Sequence, residues 1–219
     1  KISRIVEIGA VLLRNGKIEK TWETLVNPGI SIPPQASAIH HLTDDDVAGS
    51  PSLESISQEL NDLSSDVSAI VAHNAEFDRP FVTTLSERPW MCTLRLARHL
   101  WPDAPGYNNQ VLRYWLNLKV ELEGKSPHRA LPDALVTAKV LGSEIESYLE
   151  NGGKDNVSSL IEYTKSPVVF EKINFGMHSG KLFSEIPESY LQWALRDKEK
   201  GAKDPDLRSS IENYLTKRK

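Results

Sequence analysis

The dipeptide Asn15-Gly16 constrains this chain more than any other short stretch. It separates "RIVEIGAVLLR" from "KIEKTWETLV", two runs rich in β-branched residues, and Asn-Gly supplies the pair of positive-φ residues that a tight hairpin turn needs. Residues 4–28 are therefore expected to form two antiparallel strands, with "PGISIPP" ending the second.

Beyond the hairpin, helical and extended patterns alternate. "ASAIHHLTDDDVAGSPSLESISQELNDL" predicts a short helix or turn and then an amphipathic helix, because Thr43 and Asp46 fit a capping box and Leu53, Ile56 and Leu60 recur at helical spacing. "VSAIVAHNA" is a short, doubly apolar run of the kind that forms a buried parallel strand. "EFDRPFVTTLSE" and "TLRLARHLW" predict helices on either side of a short strand at "PWMC", and "NQVLRYWLNL" predicts another helix. "HRALPDALVTAKVLGSEIESYLENGG" predicts a long helix, with Pro132 in its first turn and a Gly pair at its end. A hairpin followed by alternating strands and helices argues for an α/β fold, a mixed sheet flanked by helices. "NGGKDN" reads as a linker, which divides the chain into a domain at 1–151, a linker and helix at 152–166 and a small C-terminal α(+β) module at 167–219.

Composition narrows the class. Hydrophobic residues make up 39% and charged residues 26%, and no apolar run approaches the roughly 20 residues of a membrane helix, so no membrane partner is expected. Cys92 is the sole cysteine, which rules out an internal disulfide and favours a reducing, cytoplasmic setting. The net charge of −4 argues against coating nucleic acid by bulk attraction. Residues 1–152 carry 14 Lys and Arg against 20 Asp and Glu, whereas 153–219 carry 12 against 10. An acidic balance still suits an enzyme that holds metal cations against a phosphate.

Two clusters can carry such chemistry. In "AHNAEFD", His73 and Asn74 follow the apolar strand directly and Asp78 comes one helical turn later, at the carboxyl end of a strand where open α/β sheets bind ligands. In "HRALPDA", His128 precedes a helix start and Asp133 sits in its first turn. Each Asp taken alone fits a plain helix dipole, and Asn74 fits a helix cap. Together, two carboxylates on different helix starts can hold hard divalent cations such as Mg²⁺ through oxygen. A pair of such ions roughly 3.5–4 Å apart serves phosphodiester hydrolysis, and a neutral His beside them can accept the proton of the attacking water.

The pairing of "HNAEFD" with His128-x-x-x-x-Asp133 resembles the second and third motifs of the 3′-to-5′ exonuclease superfamily, which includes polymerase proofreading subunits, oligoribonuclease and ribonuclease T. His128, five residues before Asp133, and Arg129 in place of a Tyr put the resemblance in the histidine branch. It covers most of residues 1–150: "VEIGAV" resembles the family's second strand and "PPQASAIHHLT" its segment beside the substrate. "WMCTLRLARHLWP" and "YNNQVL" resemble the exodeoxyribonuclease X-like members. So does "INFGMHSGKLFSEIPESYLQWALRD" in the C-terminal module.

The resemblance implies a ribonuclease H-like sheet and a metal-dependent 3′-to-5′ exodeoxyribonuclease that releases nucleoside 5′-monophosphates from single-stranded or duplex DNA ends. It implies two Mg²⁺ ions, with Mn²⁺ as a substitute, held by Asp78 and Asp133, and His128 as general base. His40 and Gln35 would contact the terminal nucleotide, while Asn74 and Phe77 would shape the pocket. His40 is favoured over His41 on the family's spacing, and Glu7 is read as an auxiliary polar residue of the second strand. The family's first motif, Asp-x-Glu on the central strand, has no counterpart in the chain, so a strand carrying it is expected before Lys1. RNA is the alternative substrate, and a non-catalytic nucleic-acid-binding module is the alternative if that motif is truly absent. In the C-terminal module, Lys172, Lys181 and Lys203 are open as phosphate contacts, and Tyr190, Trp193 and Leu195 are expected to form a small core.

Overall fold

The computed structural model describes residues 4–121, 129–197 and 199–218, arranged as two compact units, Lys1–Thr164 and Lys165–Lys219. The first begins with the hairpin of β1 (Glu7–Arg14) and β2 (Lys17–Leu25), in which Glu7 lies opposite Leu25 and Gly9 opposite Glu23. Asn15 and Gly16 turn the chain with φ of 51° and 73°, as their types require. Three short helices follow: α1 (Pro34–His40), α2 (Asp44–Val47) and α3 (Ser57–Leu63). The α2 start is fixed by Asp46, whose carboxylate accepts from the Thr43 backbone N–H at 2.7 Å and the Thr43 hydroxyl at 2.6 Å.

Strand β3 (Ile70–Ala72) pairs in parallel with β4 (Trp90–Cys92), and between them stands α4 (Ala75–Asp78). This short helix corrects the expectation of one helix through "EFDRPFVTTLSE": α4 ends at Asp78, and only a single 3₁₀ turn, Thr83–Leu85, comes after it. Pro80 has no N–H to continue the ladder, and that is enough to end so short a helix. The helices α5 (Thr93–Leu100), α6 (Asn109–Trp115), α7 (Ala130–Glu150) and α8 (Val157–Lys165) complete the unit.

The long helix α7 organises this unit. Val136 and Val140 are fully buried with Ala97 and Leu112 of α5 and α6, and Leu141 and Tyr148 join Met91, Leu96, Leu160 and Ile161 in a second cluster. Its start lies against β1. A side chain at Gly9 would put a Cβ 2.2 Å from the Leu131 backbone N, so only glycine allows this approach. The arrangement is a mixed α/β one of two small sheets, β1–β2 and β3–β4, flanked by helices. Among the described residues the second edge of β1 and that of β3 are unpaired, and β3 is only half-buried despite its apolar sequence.

The second unit is mainly helical, with α9 (Glu188–Arg196) and α10 (Pro205–Lys217). Ile173, Leu191, Ile211 and Leu207 form its core, and Tyr190, Trp193 and Leu195 pack against it. A short antiparallel bridge joins Lys172 to Leu182, and the intervening loop turns at Gly176 and Gly180, both at positive φ. No helix among the described residues is long and apolar enough to cross a membrane.

Candidate active site

Asn74 stands immediately beyond β3 in the left-handed conformation, φ 69° and ψ 54°, and its side chain makes no cap bond to α4. The cap reading therefore fails. A non-glycine residue in this region is uncommon, though Asn tolerates it better than most. On α4, Phe77 is 65% exposed with its ring 5.8 Å from that of Phe81, while Asp78 is half-buried.

His73, just before this turn, is fixed on both ring nitrogens. Nε2 lies 2.6 Å from the Tyr107 carbonyl oxygen and Nδ1 lies 2.9 Å from the Thr93 hydroxyl. A carbonyl only accepts, so Nε2 carries the proton and Nδ1 accepts from Thr93. Burial lowers the pKa of this imidazole and keeps it neutral. His73 thus ties the end of β3 to the segment at Tyr107. Two residues on, Asn109 donates through Nδ2 to the Thr137 hydroxyl at 3.0 Å, and Thr137 donates to the Asp133 carbonyl at 2.9 Å. The segment at 107–109 therefore braces both clusters, the one that ends at Asp78 and the first turn of α7 that carries half-buried Asp133.

At the start of α7, the Glu7 carboxylate accepts from Arg129 Nε at 3.0 Å and Nη2 at 2.7 Å, and from the Ala130 backbone N–H at 2.9 Å. His40, the last residue of α1, is half-buried, accepts through Nδ1 from the Leu42 N–H at 3.1 Å, and feels both Glu7 and Arg129 electrostatically. Burial is the largest influence on it and lowers its pKa. His41 is exposed and ends α1 in the left-handed conformation, so it is His40 that belongs with Glu7 and Arg129. Gln35 lies exposed in the first turn of α1. His128 lies outside the described residues. Sequence reasoning missed the bracing pair Asn109 and Thr137 and the partnership of Glu7 with Arg129, neither of which has a local signature.

Burial pushes the Asp78 carboxyl up to about 6, and among the described residues no cationic side chain pairs with it. A desolvated acid without a counter-charge fits an oxygen ligand for a cation. Among the described residues, no group of three or more His, Cys, Asp and Glu side chains is placed to hold a metal ion. The raised carboxyl also sets the sign of a pH effect on stability. An unfolded Asp titrates near about 3.9, so between there and about 6 the folded chain binds more protons than the unfolded one, and stability falls as pH rises through that window. Asp78→Asn cannot ionise. In thermal melts with chelator present, the melting temperature of Asp78→Asn should exceed that of the wild type at pH 7, and the gap should close as pH falls through 6 toward 4. A gap independent of pH would contradict this.

The sequence profile of the RNase_T family, described as exonucleases, matches residues 1–141. The chain belongs to this RNase_T exonuclease family. It is 34% identical over 217 residues to exodeoxyribonuclease 10 of Escherichia coli strain K12, a match that spans 96% of this chain and 92% of that protein. A second relative, the PolC-type DNA polymerase III of Clostridium perfringens, is 30% identical over 181 residues, which cover 79% of this chain but 12% of the polymerase. Among solved structures, exonuclease X in complex with 5′-overhanging duplex DNA superposes with a TM-score of 0.62 at 34% identity, over 74% of this chain and 91% of that one. The RNase_T match takes in Glu7, His40, Asp78 and Asp133 alike.

Proposed function

We propose that this chain is a metal-dependent 3′-to-5′ exodeoxyribonuclease that hydrolyses phosphodiester bonds at DNA 3′ ends and releases nucleoside 5′-monophosphates. The observation that carries the reading is the bracing of two separate carboxylate-bearing helices, α4 with Asp78 and the start of α7 with Asp133, through the 107–109 segment. The relatives named for exodeoxyribonuclease activity and the neighbour solved with DNA support DNA as substrate.

In this reading Asp78 and Asp133 hold Mg²⁺, or Mn²⁺ in its place. Bound there, the two ions would act as Lewis acids on the scissile phosphate. His128 takes the proton from the attacking water, a task suited to a group whose pKa lies near the working pH. His40 and Gln35 contact the terminal nucleotide; Asn74 sets the turn of the pocket wall, and the exposed ring of Phe77 offers a face for stacking. The sheet in this proposal is ribonuclease H-like.

Incubation with 3′-labelled DNA and Mg²⁺ tests the reading, using protein expressed from its complete open reading frame. Release of nucleoside 5′-monophosphates that depends on Asp133 supports it. Preferential cleavage of a matched RNA would move the substrate to RNA, and binding without Asp133-dependent release would leave a non-catalytic module. His128→Ala should lower turnover by about 10²- to 10⁴-fold, the usual range for a lost general base. Unchanged turnover would remove His128 from that role.

A further inference from the structure

The exonuclease reading gives Glu7 no task beyond that of an auxiliary polar residue on its strand, yet its environment is unusual. Its side chain is only 7% exposed and makes no bond along its own strand; three donors at the start of α7 converge on it instead. The Ala130 N–H is one of the four amides that a helix leaves unsatisfied at its first turn, and no side chain of the α7 N-cap residue reaches back to cap it. Glu7 supplies that cap from another element. It also fixes Arg129, whose carbonyl accepts from the Asp133 N–H at 3.1 Å, so the residue clamped by Glu7 is the one that closes the turn carrying Asp133.

The approach of the two backbones makes the clamp specific in register. With Gly9 against Ala130 and Leu131, β1 meets α7 without an intervening side chain, and Glu7, two residues earlier on the same face, reaches the helix start directly. A one-residue slip of β1 would turn Glu7 to the other face and remove all three bonds. The electrostatic influence of Glu7 and Arg129 on His40 adds the end of α1 to the same assembly.

We propose that Glu7 is a positioning residue of the active site: it acts as a remote N-cap that sets the register and orientation of the first turn of α7, and through it the placement of Asp133. The inference rests on the exonuclease reading for its functional consequence, but its structural half can be tested without it.

The test compares Glu7→Ala, Glu7→Gln and a control, Leu60→Ala, which opens a cavity beneath α3 in the separate cluster of Val26 and Ile56. Hydrogen–deuterium exchange is followed in peptides covering residues 129–136 and 141–150, and kcat, KM and the Mg²⁺ concentration for half-maximal rate are measured on DNA. Loss of charge-assisted hydrogen bonds in Glu7→Ala should speed exchange of 129–136 by about 10-fold or more and leave 141–150 unchanged. By analogy with residues that orient metal ligands, kcat should fall by about 10- to 100-fold with a raised Mg²⁺ requirement and little change in KM. Glu7→Gln keeps an acceptor for the Ala130 N–H and should recover part of both. Leu60→Ala should lower the melting temperature without favouring 129–136. Uniform acceleration along α7, or an unchanged kcat in Glu7→Ala where Asp133→Asn is inactive, would overturn the proposal. If no Asp133-dependent activity exists at all, the exonuclease reading falls and the exchange pattern alone decides the role of Glu7.

Discussion

Under the proposed function, Asp133→Asn is expected to lower exonuclease turnover by about 10³-fold, because a cation ligand that stabilises transition-state charge contributes several kcal/mol, and about 4 kcal/mol corresponds to three decades of rate. The substitution isolates charge from shape. Asn has the volume of Asp, and the backbone bonds of this turn, Asp133 N–H to Arg129 carbonyl and Thr137 hydroxyl to Asp133 carbonyl, do not involve the side chain. A cooperative thermal melt and an unchanged circular-dichroism spectrum check that the variant remains folded. Loss of activity without loss of structure, with KM for DNA little altered, is the signature of an interaction made in the transition state. Retention of wild-type turnover by Asp133→Asn would end the metal-ligand assignment.

The second large effect is on folding. Gly9→Ala adds one methyl group, but that Cβ would stand 2.2 Å from the Leu131 N and 2.4 Å from the Ala130 carbonyl carbon. Both are backbone atoms, so no rotamer change relieves the overlap; β1 or the start of α7 must shift. Overpacking of this sort reaches about 3 kcal/mol, which for a unit of this size lowers the melting temperature by about 6–12 °C. Gly142 provides the contrast within the same unit. It lies inside α7 with nothing within 4 Å of its would-be Cβ, so Gly142→Ala should raise stability, by about 0.5–1 kcal/mol. Thermal denaturation of the pair checks both signs, and equal effects would show that β1 and α7 do not meet as described.

The parts of this chain that are legible in the sequence are those whose cause is local. Asn15-Gly16 dictates its turn, Thr43 with Asp46 caps α2, and Pro132 and the Gly152-Gly153 pair bracket α7. The shortness of α4 has a local cause too: the missing N–H of Pro80 outweighs the apolar spacing around it. The partnerships of Glu7 with Arg129 and of Asn109 with Thr137 span 122 and 28 residues, and no periodicity within a short window can report them. For the candidate site the two motifs are readable, because each sits at one strand end or helix start. What holds them in place is not, because it comes from elements distant in the chain.

The separation of 122 residues between Glu7 and Arg129 also has a temporal meaning. Contacts of such long sequence separation are closed late, after the loop between them has been collapsed. During synthesis at about 5–20 residues per second, roughly 6–25 s separate the emergence of β1 from that of its helical partner. A ribosome-bound fragment holds the hairpin but not the helix that bears Asp133, so under the proposed function it is catalytically inert. The nuclease would then be armed only when its exonuclease domain is almost wholly made.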